Sequence, residues 1–225
     1  MTLGTLSNMT SHPAQERAAL KDSTLRFLGK LQITFPLEQR IAQADPAIRK
    51  AYGRVLAQWI SGRVPAPDFL LPAELHALCH LDAIVPVSGG LGCYPFSADN
   101  RDFAVELSRR PMNAMCAIDA LAMSRLTGLA STIKALCAIC QAQVRCEVRS
   151  DGSLDHDVPQ HIRVLWRHRA HPVGPCSDNL CRDLVFLCPE CAAPPGSDCL
   201  QLPQATAVAN AFFGFQRRLI PPASA

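Results

Sequence analysis

The chain has 225 residues, of which 48% are hydrophobic and 18% are charged, a composition typical of a folded protein with one large domain or two small ones. Its formal net charge of +3 is too small to indicate a nucleic-acid-binding protein. No apolar run approaches the roughly 18–20 residues that cross a bilayer, and the N-terminus lacks the basic and apolar regions of a secretory signal. We therefore expect a cytoplasmic protein with no membrane partner.

Helices are predicted for the first third of the chain, after a flexible leader at residues 1–20. The segments STLRFLGKLQI, DPAIRKAYGRVLAQWISG and LPAELHALCHL carry apolar side chains at helical spacing. Asp45 and Pro46 form an N-cap and first-turn pair for the second of them. The segment AIVPVSGGLGCYPFS follows as two strands around a Gly-Gly turn. Three helices and a two-stranded wing predict a winged-helix-like region, which we place at residues 21–80.

The second region, residues 81–225, mixes strands and helices. DFAVELS, QVRCEVRS and HIRVLWRHR have the pattern of strands, whereas NAMCAIDALAMSRLTG and QATAVANAFFGFQRRLI have that of helices. LCRDLVFLC fits either a strand or a helix. We therefore predict an α+β fold, in which a core of mixed sheet and helices follows the winged-helix-like region.

Cysteine is the unusual component of this sequence. There are 11 cysteines, an odd number, in a protein that we expect in the cytoplasm, where disulfide frameworks are rare. Metal binding or thiolate chemistry is therefore the better prediction for the set. Any one of these residues can still be a small apolar core residue without a chemical role.

An acid and a thiol lie together in the apolar segment PMNAMCAIDALAMS. Cys116 and Asp119 are three residues apart, a spacing that places both side chains on one face of a helix. Burial among apolar neighbours disfavours the charged carboxylate, so we expect a raised pKa for Asp119 and a proton available near neutral pH. The alternative is an inert core cysteine and an Asp that caps a neighbouring loop.

The segment around this pair resembles the active-site region of the bacterial organomercurial lyases (alkylmercury lyases). The resemblance runs through YPFSADNRDFAVELSRRPMNAMCAIDALAM and centres on the family's Cys-Ala-apolar-Asp helix, here Cys116 to Asp119. SDNLCRDLVFLC resembles the second cysteine segment and places that cysteine at Cys181. LCAICQAQVRCEV lies where the family has a further, structural cysteine, here Cys137, and VANAFFGFQRRLI fits the C-terminal helix. Together these segments cover roughly residues 80–220.

The resemblance implies an organomercurial-lyase-like core that cleaves carbon–mercury bonds in mercury detoxification. Cys116 and Cys181 would be the mercury ligands, since thiolates suit a soft metal, and Asp119 would move a proton to the leaving carbon. The substrate would be an organomercurial and the products a hydrocarbon and bound Hg(II), with no organic cofactor. External thiols or a mercuric reductase would accept the Hg(II). Arg182, next to Cys181, would either lower that thiol's pKa or be a surface residue.

Two Cys-x-x-Cys pairs form a second candidate site. Cys137 and Cys140 make the first pair, and Cys188 and Cys191 the second. This spacing puts two sulfurs at one edge of a tetrahedron, so the pairs could build a Cys₄ structural zinc site if the fold brings them together. The alternative is four reduced thiols in a cysteine-rich core.

Two other functions compete with the lyase. One is a non-enzymatic protein of the same fold that binds zinc, copper or mercury through thiolates. The other is a winged-helix regulator whose C-terminal half senses a metal, although the basic residues that DNA binding needs are sparse on the third predicted helix.

Overall fold

The computed structural model describes residues 22–99, 102–156, 161–169 and 174–220. The predicted leader at residues 1–20 lies outside these ranges. None of the helices within them combines the length and hydropathy that a membrane span needs.

Four helices form the N-terminal part of the described chain, one more than predicted. They are α1 (Asp22–Thr34), α2 (Leu37–Gln43), α3 (Pro46–Ile60) and α4 (Pro72–His80). The N-cap prediction for α3 is confirmed, since the Asp45 side chain accepts a 2.7 Å hydrogen bond from the Ala47 amide. The missed helix is α2, whose seven residues are too few for a clear helical period.

In the part of the chain that the structure describes, seven antiparallel strands form the larger sheet. In chain order they are β1 (Ile84–Val87), β2 (Gly90–Cys93), β3 (Phe96–Ser97), β4 (Ala104–Leu107), β5 (Arg110–Ala114), β6 (Ser131–Leu136) and β7 (Gln143–Val148). Their spatial order is β1-β2-β3-β5-β4-β6-β7. The two strands predicted around the Gly-Gly turn are confirmed as the antiparallel pair β1 and β2, and β3 connects this pair to the rest of the sheet.

A second sheet of three antiparallel strands contains β8 (Arg163–Trp166), β9 (Leu184–Leu187) and β10 (Asp198–Gln201), in the order β10-β8-β9. The ambiguous segment LCRDLVFLC contains both candidate structures, the short helix α6 (Leu180–Asp183) and then β9. The predicted α+β fold is confirmed.

The helix α5 (Ala117–Thr127) lies at the centre of the molecule and packs against α7 (Leu202–Phe213). Every side chain from Ala117 to Ser124 is buried. The sequence predicted a helix already at Asn113, but Asn113 and Ala114 belong to β5 and pair with β3. The helix begins only after the chain has left the sheet, so the turn between β5 and α5 is fixed at both ends.

Candidate active site

Cys116 occupies the turn between β5 and α5. It is the N-cap of α5, with an extended backbone, and its Sγ accepts a 3.4 Å hydrogen bond from the amide of Asp119. The sequence placed both residues inside one helix, which is wrong for Cys116. The two side chains are close because the sulfur takes the place of the oxygen that usually caps a helix N-terminus.

Asp119 and Cys181 complete a buried group with Cys116, and each of the three residues is 2% exposed. The Cys181 thiol lies 3.8 Å from Asp119 Oδ2, in a position to donate to it. The possible ligand atoms of all three residues lie within 4.8 Å of one another. The fold thus brings together the three residues to which the sequence assigned the chemistry, although α5 and α6 are far apart in the chain.

Burial controls the protonation of the two thiols. It raises the pKa of Cys116 well above the ordinary value, and their mutual hydrogen bond and the nearby Asp119 raise it further. Burial likewise raises the pKa of Cys181. Both sulfurs are therefore neutral thiols near pH 7, and each must lose its proton to bind a metal.

The three residues surround almost no empty space. The cavity that they line measures about 10 Å³, no more than one water molecule needs. An open cleft of about 660 Å³ lies beside it. Phe35, Cys176 and Leu180 line both spaces, so these three side chains separate the buried thiols from the cleft.

Cys176 is a residue of this site that the sequence analysis did not assign. Its Sγ is 3.7 Å from that of Cys181, and its side chain is 7% exposed. Its amide donates to Asp82 Oδ2 at 2.9 Å, and Tyr94 accepts from the next amide, that of Ser177, at 2.9 Å. These bonds fix the turn that carries Cys176. In the sequence, the only indication was that Cys176 lies five residues before Cys181. That spacing alone does not distinguish a third thiol of the site from a cysteine that only fills the core.

The two residues after Cys181 point in opposite directions. Arg182 is exposed and forms a 3.5 Å ion pair with Asp178. Of the two alternatives for Arg182, a partner that lowers the pKa of Cys181 or a surface residue, the structure agrees with the surface residue. Asp183 is buried and accepts a 2.6 Å hydrogen bond from Nε of Arg169. That ion pair connects the end of α6 to the chain that follows β8, and so helps to hold Cys181 in place.

The two Cys-x-x-Cys pairs converge on a second site. Their four sulfurs lie within 4.8 Å of one another, and Cys140 Sγ is 3.5 Å from Cys188 Sγ. Cys137 and Cys188 are buried, Cys191 is partly buried and Cys140 is exposed. Burial opposes the ionisation of Cys137, but the amides of Cys140, Cys188 and Ile139 donate to its sulfur and lower its pKa.

Comparison with known proteins identifies a family and a similar fold. The family model described as alkylmercury lyase (MerB) matches residues 96–214, more than half of the chain. Among solved structures, the chain is similar to one titled as the crystal structure of the mercury-bound form of MerB2. The TM-score is 0.62 at 17% sequence identity, covering 80% of this chain and 96% of that chain, a likeness of fold. No curated protein matches the chain.

Proposed function

Because the chain belongs to the alkylmercury lyase family, we propose that it cleaves carbon–mercury bonds by protonolysis, releasing a hydrocarbon and Hg(II). One observation supports this proposal above the others. Two buried thiols and a buried carboxylate lie within 4.8 Å of one another, so one small volume contains two soft ligands for mercury and a group that can carry a proton.

Capture of the organomercurial would involve the first sulfur. A thiol of the pair, which we assign to Cys116, exchanges its proton for the organomercury cation and forms a sulfur–mercury bond. Its position at the N-terminus of α5 favours the developing thiolate, because the amide of Asp119 points at the sulfur. The proton leaves with the former mercury ligand or enters solvent, and no atom changes its oxidation state.

Cleavage would then use the second thiol and the acid. Cys181 is within hydrogen-bonding distance of Asp119 Oδ2, so Asp119 can take the Cys181 proton while that sulfur joins the mercury. Asp119 next delivers the same proton to the carbon atom, the carbon–mercury bond breaks, and Hg(II) is held between two sulfurs. The balance requires one proton for each carbon released and no organic cofactor.

Hg(II) would leave the site past the side chains that separate the buried thiols from the open cleft. Cys176 is 3.7 Å from Cys181 and lines the open cleft, so a third sulfur can accept the metal by ligand exchange. From there an external thiol or a mercuric reductase could remove the ion. The closed site also requires that Phe35, Cys176 or Leu180 move when substrate enters, since the cavity behind them is too small for it.

The test is the release of hydrocarbon from the reduced protein incubated with an organomercurial and excess thiol. We expect catalytic turnover by the wild type, and its loss in Cys116→Ser and in Cys181→Ser. Cys79→Ser, on α4 and outside the site, is the matched control and should retain turnover. Failure of the folded wild-type protein to release any hydrocarbon would contradict the proposal.

The small cavity favours a second candidate, a non-enzymatic thiolate protein that binds mercury at the same residues. Such a protein would take up inorganic Hg(II), which is smaller than an organomercurial, without cleaving a carbon bond. The same experiment separates the two candidates, because a binder releases no hydrocarbon but retains tightly bound metal that depends on Cys116 and Cys181.

A further inference from the structure

The second cysteine group joins the two sheets of the molecule. Cys137 and Cys140 lie in the turn that connects β6 to β7, in the seven-stranded sheet. Cys188 and Cys191 follow β9, which belongs to the three-stranded sheet. The first turn is in direct contact with β9, since the amide of Ala138 donates to the carbonyl of Phe186 at 3.0 Å.

We propose that Cys137, Cys140, Cys188 and Cys191 bind one structural zinc ion that fastens the two sheets together. The site is separate from the one to which we assign lyase chemistry. The proposal does not depend on that chemistry.

The distances between the sulfurs match a tetrahedral metal site. A zinc–sulfur bond of about 2.3 Å places the sulfurs of a regular tetrahedron about 3.8 Å apart. Cys140 Sγ and Cys188 Sγ are 3.5 Å apart, and all four sulfurs lie within 4.8 Å of one another. A disulfide would need sulfurs about 2.05 Å apart, so the observed contact is not a covalent bond. Small movements would bring all four into bonding distance of a common centre.

Groups around the sulfurs already suit a thiolate cluster. The guanidinium of Arg163 on β8 donates to the carbonyl oxygens of Pro189 and Cys191. Four thiolates and Zn²⁺ carry a net charge of −2, and the Arg163 cation contacts the backbone of the segment that supplies two of the thiolates.

The ligand set selects the class of metal. Four sulfurs in tetrahedral arrangement favour zinc or iron over magnesium, calcium or manganese, which prefer oxygen. A site closed by four protein ligands leaves no open position for substrate, which is the pattern of structural zinc. We therefore assign zinc and a structural role.

The proposed zinc site is connected to Cys181 through the strand β9. The four residues of β9 run directly from α6, which carries Cys181, to Cys188. A metal at Cys188 therefore anchors one end of a short strand whose other end positions the buried thiol. Loss of the metal should loosen both the contact between the sheets and the geometry around Cys181.

Metal analysis of the full-length protein, purified under reducing conditions without added metal, tests the proposal. We expect one zinc ion per chain in the wild type and its loss in Cys140→Ser. Because the Cys140 side chain is exposed, this change removes little packing, so a fall in Tm of about 10 °C or more would report the lost metal. Cys199→Ser, outside the group, should retain both zinc and Tm. A chelator should lower the Tm of the wild type but not that of Cys140→Ser.

Cobalt(II) separates this site from the buried pair. Reconstituted wild-type protein should show the visible bands of a tetrahedral cobalt thiolate, Cys116→Ser should keep them, and Cys140→Ser should lose them. Wild-type protein that contains no zinc and binds no cobalt would overturn the proposal. So would iron in place of zinc, or bands that disappear with Cys116→Ser but persist in Cys140→Ser.

Discussion

At the scale of single residues, the candidate site is defined by burial. Cys116, Asp119 and Cys181 are almost inaccessible to solvent, and burial raises the pKa of both thiols. The chemistry that we propose therefore depends on proton transfer inside the site and not on thiolates that exist beforehand. Each of the three residues is assigned a different step: Cys116 captures the organomercurial, Cys181 joins the mercury and Asp119 transfers the proton. Single substitutions should therefore affect different steps.

Asp119→Asn should separate capture from cleavage. The amide keeps the size of the side chain but cannot carry the proton, so hydrocarbon release in a single turnover should fall by about 10²–10⁴-fold. Stoichiometric binding of the organomercurial should persist, because both sulfurs remain. Glu106→Gln, a half-exposed carboxylate on β4, is the control and should leave the rate unchanged. A rate for Asp119→Asn within a few-fold of the wild type would remove Asp119 from the proton transfer.

Cys176→Ser should separate cleavage from release of the metal. Cys176 contacts Cys181 and the cleft but is not needed for the proposed bond cleavage. The first turnover should therefore proceed at the wild-type rate, while steady-state turnover with limiting thiol should slow by roughly tenfold, equivalent to about 1.4 kcal/mol. Rapid-quench measurement of hydrocarbon resolves the two phases. An unchanged steady-state rate would argue against an exit role, and a lost first turnover would place Cys176 in the cleavage step.

At the scale of elements, the two ends of α5 are fixed in different ways. A cysteine caps the N-terminus through its sulfur, whereas Gly128 caps the C-terminus in the left-handed conformation, with φ 71° and its amide bonded to Ser124 at 2.8 Å. A functional residue thus occupies a position that normally carries Ser, Thr, Asp or Asn for stability. Glycine at the other end ends the helix in the usual way.

Two glycine substitutions should have opposite effects on stability. Gly128→Ala meets no atom within 4 Å of the added Cβ, so its cost is the left-handed backbone, and the free energy of unfolding should fall by about 1 kcal/mol. Gly29→Ala also meets no atom within 4 Å, but it lies within α1, where alanine should raise that free energy by about 0.5–1 kcal/mol. Urea denaturation of both variants measures the difference. Effects of the same sign would contradict the assigned conformations.

At the scale of the whole molecule, the N-terminal helices and the sheets share one hydrophobic core. The Trp59 indole of α3 donates to the Leu91 carbonyl of β2 at 3.0 Å and stacks on Phe96. Buried Gln216, after α7, donates to the hydroxyl of Tyr52 and the carbonyl of Tyr94. The region that the sequence treated as winged-helix-like therefore packs against the rest as part of one core, while the division at residue 80 stays a prediction.

Buried thiols should make the whole protein less stable in alkali. Burial raises the pKa of Cys146, on β7, to about 12, from an ordinary value of 9.0. Above pH 9 the unfolded chain releases a proton that the folded chain keeps until about pH 12. Stability from this thiol is therefore complete below pH 9 and falls as pH rises, by up to about 1.4 kcal/mol per pH unit.

Denaturant unfolding between pH 8 and 10.5 tests this alkaline effect. Cys146→Ala should show a shallower fall of stability with pH than the wild type. Val144→Ala, on the same strand but without an ionisable group, should lower stability equally at every pH and keep the wild-type slope. Equal slopes for Cys146→Ala and the wild type would show that the thiol does not keep its proton.

The sequence predicted the elements that have a strong local pattern. The helix α3 followed from its N-cap and apolar period, and the strand β7 from its alternation. The strand β10 was missed because its four residues lie in a segment of loop composition. The strand β6 was missed because its six residues, STIKAL, do not alternate strictly between polar and apolar side chains. The beginning of α5 was predicted too early, because Asn113 and Ala114 are as compatible with a helix as with a strand. In the folded chain they form strand because they pair with β3.

The sequence was sufficient to predict the fold class. The family resemblance also led to Cys116, Asp119 and Cys181 as the residues of the proposed chemistry, because the Cys-Ala-Ile-Asp segment and Cys181 occur in the order that it requires. Which other sulfurs lie close together could be seen only in the folded chain. Cys176 joins Cys181, and Cys137 and Cys140 join Cys188 and Cys191, through the packing of two sheets and the turns between them. The physical reason is that thiol chemistry depends on distances of a few ångströms in space, and residues far apart in the chain acquire such distances only when the core forms.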